Sequence, residues 1–219
     1  VAPFRHNIRT NCGVREVSRR QDDVRVAYDG GEDSFDEIVF ACHSDQALSL
    51  LTDADELETE LLSAFPYRLN SAVLHTDISL LPKRRRAWAS WNYHIPKEAT
   101  ERPTLTYNMN ILQHINSKQN YCVTLNEEHA IDESQQIARF QYAHPIFTAN
   151  RTAVQQRHAE VIRRRKTSFC GAYWRNGFHE DGVVSALAVC QKYGIHDLSS
   201  MSQPQPHGQS TPGLEAQDV

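Results

Sequence analysis

Residues 167 to 189 read TSFCGAYWRNGFHEDGVVSALAV. A short apolar run, expected to be a buried strand, ends in Gly171. A loop rich in aromatic residues and glycine follows, and Glu180-Asp181-Gly182 then opens a helix expected over 181–193. Val184, Leu187, Ala188 and Gln191 recur on one side of it, the spacing of a helix with one buried stripe. The first N–H groups of a helix have no partner inside it and sit at the positive end of its dipole. A helix start just past the end of a strand is therefore a place for an electron-rich group. Gly182 lacks a Cβ, which lets a planar ligand approach the backbone there.

Upstream, Val24, Val26 and Tyr28 alternate with polar residues in DVRVAY, the period of a half-buried strand. Asp29-Gly30-Gly31 is a tight-turn signal, and Ile38 to Ala41 then form an apolar run expected to be an inner strand covered on both faces. The first 41 residues thus read as a β-meander feeding a buried strand. Helical spacing appears over 44–51, where Ser44 or Asp45 can cap the start, and over 54–64, with Leu57, Leu61 and Leu62 on one stripe. Strands are expected at 71–78, 86–93, 104–110 and 120–125, forming one antiparallel sheet, and a polar helix over 149–163. The segment 197–219, rich in Ser, Gln, Pro and Gly, is expected to be disordered.

The totals exclude several classes. A net charge of -4 argues against a general nucleic-acid binder, and no stretch approaches the roughly 20 apolar residues of a membrane helix. Five cysteines at wide, irregular spacing form neither a disulfide framework nor a zinc clip. Cys42 and Cys170 end apolar runs and are expected to be buried reduced thiols, which points to a reducing, cytoplasmic setting. The first residue is Val1, with no leader pattern after it, so the chain is expected to begin inside a longer protein.

The 167–189 stretch, the DVRVAYDGG hairpin and FDEIVFACHSDQALSLL together resemble the flavin-containing amine oxidase and phytoene-desaturase-like superfamily of FAD-dependent oxidoreductases. LHTDISLLPKRRRAWASWNY and YNMNILQHI resemble its bacterial branch of predicted NAD/FAD-binding proteins. The likeness covers roughly residues 4 to 193, the C-terminal portion of such a protein. It implies an α/β fold with an α+β substrate lobe: part of a Rossmann-like FAD/NAD(P)-binding domain without its N-terminal βαβ unit, plus an antiparallel sheet. The implied divisions are the FAD-domain meander and return strand at 1–45, a substrate lobe at 46–145, the C-terminal FAD-domain strand and helix at 146–196, and the tail.

The resemblance implies non-covalent FAD in the full-length parent and hydride transfer to flavin from a C–N or C–C bond of a small-molecule substrate. By motif, Val14 would meet the adenine, and Ala41 and Cys42 the phosphate side. Gly171 would admit the ribityl and phosphate region, and Asp181 and Gly182 would lie at the ribityl and pyrimidine edge. The Val183 N–H would face the flavin N1/O2 locus. Three departures stand out. Ala172 occupies a position where many members carry an acid, Leu187 one where many carry glycine, and no GxGxxG occurs, so the phosphate-binding unit would precede Val1.

His179, Trp174 and Phe178 are the weak catalytic or cavity candidates, flanking the loop. Trp88, Trp91, Tyr93 and Tyr107 are read as sheet core, with a substrate-cavity wall as the sharper alternative. His75 and Asp77 are read as a surface pair, and no metal spacing is present. The runs Lys83–Arg86 and Arg163–Lys166 are read as solvated turn and helix-end charge. Ala172 and the missing glycine motif leave a second class open: a truncated, catalytically dead remnant that acts as a binding or dimerisation module, self-associating through exposed strand edges.

Overall fold

The computed structural model describes residues 2–95 and 102–196; the tail expected at 197–219 lies outside the described residues. Two compact units result, one from residues 1–64 with 149–219, the other from 65–148.

In the first unit, β1 (Val14–Arg19), β2 (Val24–Tyr28) and β3 (Gly31–Phe35) form the expected antiparallel meander. The Asp29-Gly30 turn joins β2 to β3, with Gly30 at φ 105°, a conformation open to glycine. Val17, Val24 and Val26 are buried, as their alternation requires. β4 (Ile38–Phe40) leads to α1 (Ser44–Leu50) and α2 (Glu56–Ser63). Asp55 caps α2 by accepting from the Glu58 N–H, and the Glu58 carboxylate returns to the Asp55 N–H at 3.0 Å. Residues 46–64 pack with this unit.

The polar helix read over 149–163 is broken. α4 spans Arg151–Gln156, and a separate 3-10 turn covers His158–Val161. Side chains there serve the main chain of the following loop, Gln155 donating to the Tyr173 carbonyl and His158 bonding the Phe169 carbonyl. β10 (Thr167–Phe169) pairs in parallel with β4, and Phe40 and Phe169 stack at 5.4 Å. α5 (His179–Lys192) closes the unit and starts two residues before the expected point.

Two expectations fail in this unit. β4 is not covered on both faces: Phe40 is buried but Val39 is 45% exposed, because β4 and β10 are the whole of this parallel sheet among the described residues. The Arg163–Lys166 run is not merely solvated. Arg163 pairs with Glu37 at 2.7 Å, Arg164 with Asp55, and Arg165 with Asp53 at 2.9 Å, beside a buried Arg19–Glu58 pair.

The second unit is a five-stranded antiparallel sheet of order β6 (Trp91–His94), β7 (Thr104–Asn108), β8 (Cys122–Leu125), β5 (Tyr67–His75), β9 (Gln136–Pro145); the one-turn α3 (Met109–Leu112) follows β7. The ten-residue β9 was missed, although Ala138, Phe140 and Tyr142 alternate with polar residues. The strand read at 86–93 begins only at Trp91. Arg85–Ala87 form a 3-10 turn, and the Trp88 indole donates to the Pro82 carbonyl at 2.8 Å, off the sheet.

Trp91 and Tyr93 are not core, being 50% and 64% exposed. The opposite face is the covered one and is largely polar: Asn92, Thr106, Asn108, Thr124 and His75 are buried there beside Val73 and Cys122. His75 and Asp77 therefore do not form a surface pair. His75 bonds Thr124 at 2.8 Å, and the Asp132 N–H donates to Asp77 at 3.0 Å as the loop after β8 folds over them. Burial pushes the His75 pKa down.

Candidate functional site

The carboxyl ends of β4 and β10 lie side by side, since Phe40 is the register partner of Phe169 and the Cys170 N–H donates to the Phe40 carbonyl at 2.8 Å. Ala41 and Cys42 follow one strand end; Cys170 and Gly171 follow the other. In parallel sheets, ligands bind outside the carboxyl ends of the strands. Ala41 is exposed and Cys42 half-buried, whereas Cys170 is buried. Burial pushes both thiols up in pKa, away from the thiolate form.

Gly171 is extended (φ 166°, ψ 160°), so it is crowding rather than backbone conformation that requires glycine. A Cβ there would lie 2.3 Å from Cε1 of Tyr173, a ring only 3% exposed. The Gly171 N–H donates to the Ser185 hydroxyl at 2.9 Å, and that hydroxyl donates to the Gly182 carbonyl at 2.8 Å. The strand end is thereby fastened to the first turns of α5.

At the start of α5 the Asp181 carboxylate turns back on its own loop. It accepts from the Phe178 N–H at 3.0 Å and the Asn176 N–H at 3.2 Å, and Arg175 lies 3.4 Å away. It serves the helix start as an N3 acid. The Asp181 and Gly182 N–H groups both reach the Phe178 carbonyl. Because the helix starts at His179, Val183 falls in its second turn, where amides bond within the helix. The amides left to point outward are those of His179 and Glu180, which the sequence reading passed over in favour of Val183.

Gly182 behaves differently from Gly171. The nearest atom to a Cβ there would be the Ala172 amide nitrogen, at an ordinary 3.9 Å. A helical glycine costs about 1 kcal/mol relative to alanine, and nothing within the chain requires this one. Ala172, where the resemblance leads one to expect an acid, lies next to it and is half-buried.

Of the aromatic candidates, Phe178 is 55% exposed at the helix start and His179 is exposed beside it. Trp174 is not a cavity wall. It is 3% exposed and stacks on His158, because the 3-10 turn Ala172–Trp174 points it inward. Val14, 41% exposed at a bulge in β1, separates two clefts. One, of about 480 Å3, runs along Ile38–Cys42 and α1; the other, of about 520 Å3, is lined by Arg9, Cys12, Tyr28 and Phe35. Among the described residues, no cluster of His, Cys, Asp or Glu could hold a metal ion, and no helix is long and apolar enough to cross a membrane.

The fold has counterparts among solved structures. A conjugated-linoleic-acid-producing fatty acid isomerase from P. acnes superposes with a TM-score of 0.59 at 11% identity, over 88% of this chain and 49% of its own. A candidate protoporphyrinogen oxidase from Exiguobacterium sp. 255-15 gives 0.54 at 15% identity, over 85% of this chain and 47% of its own. Cyclohexylamine oxidase from Brevibacterium oxydans IH-35A gives 0.52 at 10% identity, over 83% and 48%. The chain carries part of the fold these proteins share. It spans about half the length of each, and at such identities the likeness concerns the fold alone. No protein-family model and no curated protein matches the sequence.

Proposed function

We propose that this chain is the flavin-facing and substrate-lobe portion of an FAD-dependent oxidoreductase of the amine-oxidase type. The observation that carries the reading is the lack of crowding at Gly182, where an added Cβ would come no nearer than 3.9 Å, an ordinary contact, to the Ala172 amide nitrogen. A helix start with a glycine its own chain does not need lies beside two parallel strand ends, fastened to one of them through Ser185. The shared fold with oxidases supports it.

Where bound, FAD supplies the hydride acceptor for oxidation of a C–N or C–C bond. The residues of this chain position it. Gly182 leaves the backbone bare toward the ring, Gly171 makes room for the Tyr173 ring at the strand end, and Cys42 and Ala41 border the phosphate side. The outward amides of His179 and Glu180, at the positive end of α5, favour negative charge on a reduced flavin ring. Val14, between its two clefts, is on the adenine side. Asp181 holds the loop and helix start in shape rather than touching the ligand. Hydride transfer depends on positioning more than on a general base, so His179 and Phe178 orient rather than exchange protons. The substrate is a small molecule. The glycine-rich phosphate grip is absent from residues 1–219, so these residues border FAD without themselves gripping its pyrophosphate.

A direct test is titration of FAD followed by flavin fluorescence, with the protein as it stands and with the polypeptide encoded directly upstream joined to it. Uptake by the joined protein, weakened by Gly182→Ala, is the expected result. A joined protein that stays colourless, or that binds FAD equally well with alanine at 182, overturns the reading.

A further inference from the structure

A cleft of about 570 Å3, larger than either cleft beside Val14, lies wholly within the second unit along β6, at the edge of its sheet. All four residues of β6 line it, and the loop from Ser79 to Lys83, with Ala87 and Ala89, supplies the rest. Its lining is held in place from within the unit. The Asn92 side chain donates to the Ala89 carbonyl at 2.7 Å and accepts from the Ala89 N–H at 3.1 Å, while the Trp88 indole ties the loop to Pro82.

The charge around this cleft is one-sided. From Ser79 to His94 the chain carries Lys83, Arg84, Arg85 and Arg86 and no acid. Arg163, Arg164 and Arg165 each pair with an acid, but none of these four does so among the described residues. Arg85 lies instead over the Trp88 ring, 5.4 Å from its centroid. Lys83 and His94 both line the cleft. His94 Nδ1 lies 2.7 and 2.9 Å from the two carboxylate oxygens of Glu127, a residue only 6% exposed. The ionised carboxylate only accepts, so Nδ1 carries a proton and Nε2 is the atom His94 has left for a ligand. Asp77, just before the loop, is buried and taken up by the Ser79 and Asp132 N–H groups.

We infer that this cleft binds a small carboxylate carried on an apolar or aromatic body. The Lys83 ammonium and the Nε2–H of the doubly protonated His94 ring meet the charge. Leu80, Leu81, Trp91 and Tyr93 meet the body. The volume falls within the range of small-molecule sites, about 300–1,000 Å3. Arg84 and Arg86, exposed in the same run, raise the local concentration of anions. One ammonium and one imidazole in the lining suit a single negative charge rather than a phosphate dianion. An ammonium ligand would meet Lys83 with no free acid to offset it, because His94 already engages Glu127. The inference concerns the second unit alone and does not rest on flavin binding.

The test is titration calorimetry of the full chain, without FAD, using naphthylacetate and its relatives of similar size: naphthylethanol, naphthylethylamine and naphthyl phosphate. One-site binding of naphthylacetate is expected, at least about tenfold tighter than that of the alcohol or the amine. Lys83→Met and His94→Gln, both at exposed positions, should each weaken it by at least about fivefold while leaving thermal unfolding unchanged. No binding of naphthylacetate at about 1 mM overturns the inference. So does an amine or a phosphate that binds as tightly or more tightly, or an affinity that either substitution leaves unchanged; in that last case the His94–Glu127 pair only fastens β6 to the loop after β8. A chain that binds naphthylacetate but takes up no flavin, even when joined to its upstream polypeptide, leaves this inference standing and removes only the proposed function.

Discussion

The indole of Trp174 lies against the imidazole of His158, with ring centroids 4.3 Å apart and planes 20° from parallel. The same imidazole bonds the Phe169 carbonyl through Nε2 at 2.7 Å. The carbonyl can only accept, so Nε2 carries the proton. One side chain thus ties the end of β10 to the turn that leads into α5.

Acid sensitivity follows from this arrangement. Burial pushes the pKa of His158 below its ordinary 6.5, and that of His75 likewise. For a depressed histidine the unfolded chain takes up the proton first. Stability is therefore full above pH 6.5 and falls as pH drops below it toward the folded values. Urea unfolding at pH 7.5 and 5.5 should show this loss, and His158→Phe should reduce it while lowering stability at both pH values. An unchanged pH slope in that variant would count against a neutral buried His158.

The two glycines of the site should respond in opposite directions to alanine. Gly171→Ala drives a Cβ into the buried Tyr173 ring, and overpacking of this kind costs about 1–3 kcal/mol. Gly182→Ala meets nothing closer than 3.9 Å and should stabilise the protein by about 0.5–1 kcal/mol. Thermal unfolding of both variants distinguishes them. If Gly182→Ala destabilises, the glycine answers to packing within the chain, and its value as evidence for a ligand is gone.

A buried ion pair anchors β1 to α2. The side chains of Arg19 and Glu58 are 2% and 1% exposed, and Arg19 also holds Asp53 at 3.1 Å. Glu58→Ala strands a buried guanidinium. Asp53 remains to share it, so the loss should fall near the lower end of about 3–5 kcal/mol. The exposed Arg15–Asp29 pair is the control: Asp29→Ala should cost less than about 1 kcal/mol, and that cost should shrink in high salt.

Where local pattern and tertiary need agree, the sequence was readable. The meander, the β4–α1 step and the strand–glycine–loop–helix of the candidate site all follow from alternation, turn glycines and caps. It misled where side chains compete with the backbone: His158 and Gln155 bond the neighbouring loop, and the 149–163 pattern breaks into α4 and a 3-10 turn. It misled again in the sheet of the second unit, because alternation marks two faces without saying which is covered. Trp91 and Tyr93 looked like core, yet loops bury the threonine and asparagine side instead. At the site, Gly171 and Gly182 were found, but that crowding demands glycine at the first and not at the second required coordinates. Trp174 and Asp181, equally conspicuous in the sequence, turned out to point inward and back.

That inverted sheet makes the last prediction. Trp91 pairs with Tyr107 and Tyr93 with Leu105 across β6 and β7, while Phe140 and Tyr142 share the same face from β9 and stack at 5.9 Å. Tyr93, Phe140 and Tyr142 are 64%, 46% and 52% exposed, and a contiguous apolar face of this kind favours association. Sedimentation velocity should show self-association that increases with protein concentration. The double substitution Tyr93→Lys and Phe140→Lys should suppress it while changing stability by no more than about 0.5 kcal/mol per site, as exposed positions allow. If association persists in that variant, the contact runs through another surface of the chain.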